Sequence, residues 1–145
     1  MTDTAATEPT SHEQLPAPAP LPALLETIDT YFRALHACDV DLLDAAFDPR
    51  ASLFDADGGE LLAEPYPEWR EQVRSRRSPA DAGQSRHDEV LLVDWLSPRI
   101  AVVKVRLRIL DEVFVDHLSL VQGADGRFRI VAKTWHSQRR LPGAA

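Results

Sequence analysis

The chain has 145 residues, 44% of them hydrophobic and 27% charged, and its formal net charge is −7. One domain with its own core is expected at this size, and the acidic total argues against a general nucleic-acid binder, which needs a basic footprint. No apolar run approaches the roughly 20 residues of a membrane span, no basic-then-apolar leader is seen, and the lone Cys38 excludes an internal disulfide and fits a reducing cytoplasm.

Residues 1–21, with "TEPTSHEQLPAPAPLP", are expected to form a flexible tail of polyproline character near 16–22, with His12 in solvent. The folded domain is expected over 22–138, leaving 139–145 as a second tail. The first helix is predicted from Pro22 to about Ala37. Leu24, Ile28, Tyr31, Leu35 and Cys38 recur at three- and four-residue steps, Leu25 and Phe32 widen that stripe, and His36 falls at its edge. Asp39 is placed to cap a second short helix, "VDLLDAAF", which turns Leu42, Leu43, Ala46 and Phe47 inward before Pro49 ends it. "ASLFDADGGELL" reads as a short hairpin turning at "ADGG". A third helix is predicted from about Pro65 to Arg76, burying Trp69 and Val73. Arg70, Arg74, Arg76 and Arg77 read as its solvated cationic end, and "SPADAGQS" as a loop.

From His87 onward the period changes to two. Strands are predicted at 87–95, 99–110, 112–122 and 127–137, with turns at Ser97-Pro98, Leu110-Asp111 and "GADG" at 123–126. Val103, Val105, Leu107 and Ile109 face one way, and Lys104, Arg106 and Arg108 the other. Successive short connections make an antiparallel meander, and helices followed by a long curved sheet make an α+β domain with helices on one face.

One strand carries an acid among its apolar alternates. In "FVDHLSLV", residues 114–121, Asp116 shares a side with Phe114, Leu118 and Leu120. A carboxylate there costs free energy unless it is paired or protonated. Two registers of the last hairpin give different partners. A plain four-residue turn sets Asp116 opposite Lys133, and a bulge at Gly126 sets it opposite Thr134. The first would favour the ionised acid.

Taken in order, "YFRALHACDVDLLDAAFDPRASLFDADG", "FVDHLSLV" and "DGRFRIVAKTWHS" resemble the nuclear transport factor 2-like superfamily, whose cone-shaped α+β fold is shared with SnoaL-type cyclases and ketosteroid isomerase. Within it the chain is most similar to the bacterial "putative lumazine-binding" group. The resemblance covers about residues 22–138. It implies three helices on a curved, mostly antiparallel sheet, a mostly apolar pocket between the sheet and the first helix, and a homodimer formed through the outer sheet face. Expected pocket residues are Phe32, Leu35, Trp69, Val105, Leu118, Trp135 and Lys133, and the expected partner is a small apolar or aromatic molecule. This fold serves many activities, so the likeness speaks for fold more than for reaction.

Likeness to ketosteroid isomerase implies specific roles. Its family holds an oxyanion between a first-helix tyrosine and a protonated late-strand aspartic acid, while a second aspartate moves the proton. Matching motifs put Tyr31 in "DTYFRAL" at the tyrosine, Asp55 in "ASLFDADG" at the base and Asp116 in "VDHLSL" at the protonated acid. The residues also admit plainer roles: Tyr31 as a core aromatic and Asp55 as a turn former. Scytalone dehydratase, of the same fold, uses paired histidines and an aspartate, which makes His87 a further catalytic candidate. His117 has the opposite parity from Asp116 and is expected to face outward, and His136 to end the last strand. No spacing suggests a metal site, phosphate loop or dinucleotide fingerprint, so no cofactor is expected. The expectation is a small-molecule-binding protein, with catalysis left open and, if present, a cofactor-free isomerase, cyclase or dehydratase reaction; the alternative is a non-catalytic binding or protein-association module.

Overall fold

A computed structural model describes residues 20–142. His12 and most of the expected N-terminal tail lie outside the described residues. Helix α1 spans Pro20–Ala37, two residues earlier than predicted, and buries Leu24, Ile28, Tyr31, Phe32 and Leu35. Leu25 does not join that face and is 38% exposed. Thr27 fastens the helix to the sheet by donating its hydroxyl to the Phe128 carbonyl at 2.7 Å. The helix stops where Cys38 takes a left-handed φ of 50°, a conformation that normally favours glycine. Asp39 then caps α2, Val40–Ala46, its Oδ1 accepting from the backbone N–H groups of Asp41 and Leu42.

Strand β1, Phe47–Asp55, starts directly after α2. Pro49 therefore lies inside a strand instead of breaking a helix. It is tolerated because the pairing of β1 with its neighbour is interrupted between Phe47 and Ser52. The turn forms at "ADGG" as predicted, with Gly59 N–H bonded to the Ala56 carbonyl and Gly59 at φ +89°. Strand β2, Leu62–Pro65, leads into α3, Tyr66–Ser75, which buries Tyr66, Trp69 and Val73. Arg70 is not a free solvated cation: it grips Asp44 of α2 at 2.8 and 2.9 Å, and Tyr66 Oη donates to the same carboxylate at 2.6 Å.

Strands β3 (Asp88–Ser97), β4 (Ile100–Ile109), β5 (Glu112–Gln122) and β6 (Phe128–Arg140) complete a six-stranded sheet in the order β2-β1-β6-β5-β4-β3. Only β1 and β6 run parallel; the rest is antiparallel. The fold is the expected cone-shaped α+β arrangement, with three helices on one curved face. Strand β6 extends through Arg140, so the first residues of the supposed C-terminal tail are paired, Arg140 with Glu112.

The β5–β6 register matches neither alternative at Asp116. Gly126 is left-handed at φ +80°, and pairing starts as the bulged turn requires, with Gln122 opposite Phe128. A second irregularity at Val131 then shifts the ladder once more, so Leu118 faces Lys133 and Asp116 faces Trp135. An extra residue reverses the inward parity of everything after it. Lys133 and Trp135 thereby join Asp116 on the concave face.

Candidate functional site

Tyr31 reaches the sheet from the buried stripe of α1. Its hydroxyl donates to Asp116 Oδ2 at 2.6 Å, and both residues have no exposed surface. The other carboxyl oxygen, Oδ1, is buried with no hydrogen-bond partner among the described residues. Lys133, 6% exposed, sits diagonally across the hairpin. Its Nζ lies 3.8 Å from Asp116 Oδ2, 4.4 Å from the centre of the Trp69 ring and 5.4 Å from that of Tyr31. The contact to Asp116 is much longer than the roughly 2.7–2.9 Å of a charge-assisted hydrogen bond.

Burial sets the protonation of all three groups. It raises the Asp116 carboxyl above its ordinary range, opposed by Lys133 and then by the Tyr31 hydrogen bond. It lowers the Lys133 amine, against the pull of Asp116. Burial followed by the Asp116 charge raises the Tyr31 phenol well above its usual value, so Tyr31 remains a proton donor. Desolvation thus biases the Asp116–Lys133 pair toward its neutral form.

Asp116 and Lys133 border a cavity of about 80 Å³, with Tyr31 behind Asp116. Asp116 and Lys133 form its polar wall; Leu35, Trp69, Leu107, Ile109, Phe114 and Trp135 form the apolar remainder, and exposed Arg76 closes the rim. Arg76 also lies over the Trp69 ring at 5.9 Å, and Phe114 meets Trp135 edge-on at 5.9 Å. The cavity is thus a mostly apolar slot, aromatic along half of its apolar wall, with one buried, incompletely satisfied acid. Among the described residues no cluster of histidine, cysteine or acidic side chains could hold a metal ion.

The expected site residues separate into two groups. Leu35, Trp69, Asp116, Lys133 and Trp135 meet at this cavity, and Tyr31 supports it from behind through Asp116. Phe32, Val105 and Leu118 are core residues and do not line it. Asp55 is also away from the cavity lining, and its Oδ1 accepts the Asp57 backbone N–H at 2.7 Å, shaping the turn. His87 precedes β3 and is exposed, bordering a separate groove with Arg86 and Arg106. The isomerase-like trio therefore does not converge at this cavity: two members are joined, and Asp55 serves a local turn. His117 is exposed, as its parity implies. His136 does not end the last strand and pairs through Nδ1 with Asp57 at 2.6 Å.

Sequence reasoning missed Leu107, Ile109, Phe114 and Arg76 as walls. The first three were legible, since they share inward parity with Val103 or Asp116. Arg76 was not, because its placement depends on how α3 ends above Trp69.

A family model described as "Putative lumazine-binding" matches residues 19–136. Among curated proteins none matches the chain. Solved structures are similar in fold. A nuclear transport factor 2-like protein of unknown function from Shewanella baltica has a TM-score of 0.76 at 17% identity, over 87% of this chain and 99% of that one. One from Silicibacter pomeroyi has a TM-score of 0.71 at 24% identity, over 81% and 95%. A ketosteroid isomerase-like protein from Erwinia carotovora atroseptica has a TM-score of 0.66 at 14% identity, over 85% and 99%.

Proposed function

Because the chain belongs to the "Putative lumazine-binding" family of nuclear transport factor 2-like proteins, we propose that it binds a small planar molecule in the cavity beside Asp116. The molecule has an apolar or aromatic body and a carbonyl on its polar edge. One observation carries this reading: Asp116 lines the cavity, and its Oδ1 is buried with no hydrogen-bond partner among the described residues. A buried polar atom without a partner costs about 1–3 kcal/mol. A ligand carbonyl accepting from the protonated Oδ1 would remove that cost. Trp69, Phe114 and Trp135 suit a flat body, and Arg76 at the rim suits an anionic substituent.

Binding is better supported than isomerase-like turnover, because neither Asp55 nor His87 reaches the cavity lining. Among the described residues no helix is long and apolar enough to cross a membrane. A reducing, cytoplasmic setting would suit the free Cys38 thiol. We also place a second copy on the outer sheet face, where Leu92, Ile100, Val102 and Val121 are exposed together; light scattering of the full chain tests this.

The binding test is a titration followed through the Trp69 and Trp135 indole resonances, with lumazine and benzyl alcohol as probes. Shifts at those two indoles, weakened at least tenfold in Asp116→Leu, support the reading. No shift with either probe at millimolar concentration, or affinities unchanged by Asp116→Leu, would overturn it.

A further inference from the structure

We propose that Lys133 is a nucleophile that forms an imine with an aldehyde or ketone held in this cavity. The inference rests on the binding reading and adds a covalent step to it. A solvated lysine is a poor nucleophile at neutral pH, because with a pKa near 10.4 only about one in 2,500 amines is unprotonated at pH 7. Desolvation in an apolar pocket is one physical way to release that amine. Lys133 has such a place. Its side chain is buried, its amine lies over the rings of Trp69 and Tyr31, and the residue lines the cavity. No carboxylate compensates it at hydrogen-bond distance: the only one near it among the described residues is Asp116, at 3.8 Å.

The neighbours supply the remaining chemistry. Asp116 lines the same cavity, and Tyr31 occupies Oδ2, which leaves Oδ1 as the oxygen able to carry and deliver a proton. The Lys133 nitrogen lone pair forms the C–N bond as the carbonyl π pair moves to oxygen, which takes the Asp116 proton. The nitrogen returns one proton to the Asp116 carboxylate. Asp116 then protonates the new hydroxyl, the C–O bond breaks, water leaves, and the remaining nitrogen lone pair makes the C=N bond. The products are a protonated imine on Lys133, an Asp116 carboxylate as its counter-ion and one water, with no change of oxidation state. Burial, which disfavours isolated charges, is relieved because the two charges form together as an adjacent pair.

The sequence makes the test clean, because Lys133 and Lys104 are the only lysines. Lys104 lies on the opposite sheet face, partly exposed and paired across from His117, and serves as an internal control. The full chain is incubated at neutral pH with benzaldehyde and sodium cyanoborohydride, which reduces any imine to a stable benzylamine, and the adducts are located by peptide mass mapping. The expected result is benzylation of Lys133 at least ten times faster than of Lys104. Asp116→Asn should still bind benzyl alcohol, since its amide can donate to oxygen, but should label Lys133 at least tenfold more slowly with Lys104 unchanged. Labelling of Lys133 no faster than Lys104 would overturn the proposal without any variant having to fold. Benzyl alcohol shifting the Trp69 and Trp135 indoles while Lys133 stays unlabelled would overturn the imine and leave the binding reading standing. Absence of Lys133 labelling together with absence of indole shifts from benzyl alcohol and lumazine alike would overturn both.

Discussion

Tyr31 and Asp116, 85 residues apart in sequence, meet through a 2.6 Å hydrogen bond at a point with no exposed surface. The bond fixes which carboxyl oxygen is satisfied and which is left without a partner. Tyr31→Phe should therefore leave both Asp116 oxygens unpartnered and destabilise the fold by about 1–3 kcal/mol. It should also raise the Asp116 carboxyl further, since a hydrogen bond that favours the ionised form is lost. Urea unfolding checks the first effect, and a carboxyl-carbon NMR titration the second.

The raised Asp116 carboxyl gives a pH signature opposite to that of surface acids. A group whose folded pKa lies above its unfolded value stabilises fully below the unfolded value, about 3.9 for aspartate, and loses that contribution as pH rises through the folded one. Wild type minus Asp116→Asn, compared as unfolding free energies, should thus decline from about pH 4 upward. Asp125, held down to about 2 by Arg129, has the opposite sign: its contribution is present above about pH 4 and is lost as pH falls toward 2. Denaturant titrations of both proteins across pH 3–8 measure the declining difference.

Function and stability should pull apart at the buried trio. Replacing a buried charge pair with apolar residues of similar volume is often neutral or stabilising by about 1–4 kcal/mol, whereas removing one partner is costly. Tyr31→Phe, Asp116→Leu and Lys133→Met combined should give a protein at least as stable as wild type that no longer binds lumazine. Because the three touch, their single effects should not add. Thermal unfolding of the singles and the triple variant measures this.

Residues that the isomerase comparison nominated should be inert toward ligand. Asp55→Asn keeps a side-chain oxygen for the Asp57 N–H, and His87→Gln alters an exposed position outside the cavity. Both should keep lumazine affinity within about twofold, less than 0.5 kcal/mol, in the same indole titration. By contrast, Asp39→Ala should leave affinity intact and cost about 1 kcal/mol of stability through loss of the α2 cap.

The helices and strands were legible because their burial is local and periodic. The Leu24–Leu35 stripe, the Asp39 cap and the alternation of Val103, Val105 and Leu107 each declare a face within a few residues. The site was only partly legible. Asp116 stood out because no turn or cap role exists for a mid-strand acid, and Tyr31 because "DTYFRAL" resembles the isomerase tyrosine motif. One of the two registers already turned Lys133 inward, but the route by which the structure does so was not readable. It depends on a bulge at Val131, where nothing in "RFRIVAKTW" marks an extra residue, and one residue of slip sends every later side chain to the other face. Asp55 was nominated by the likeness of "ASLFDADG" to the isomerase base, and the structure gives it the turn role that the residues also allowed, since an aspartate two residues before a turn N–H bonds it at little cost.

The central claim is that Asp116 acts as a neutral donor facing a small-molecule cavity. It is tested most directly by titrating wild type, Asp116→Asn and Asp116→Leu with lumazine and following the Trp69 and Trp135 indoles. The account predicts affinity within about threefold of wild type for Asp116→Asn, whose amide still donates, and at least tenfold weaker for Asp116→Leu. Equal affinity in all three proteins, or shifts confined to Trp95, would contradict it.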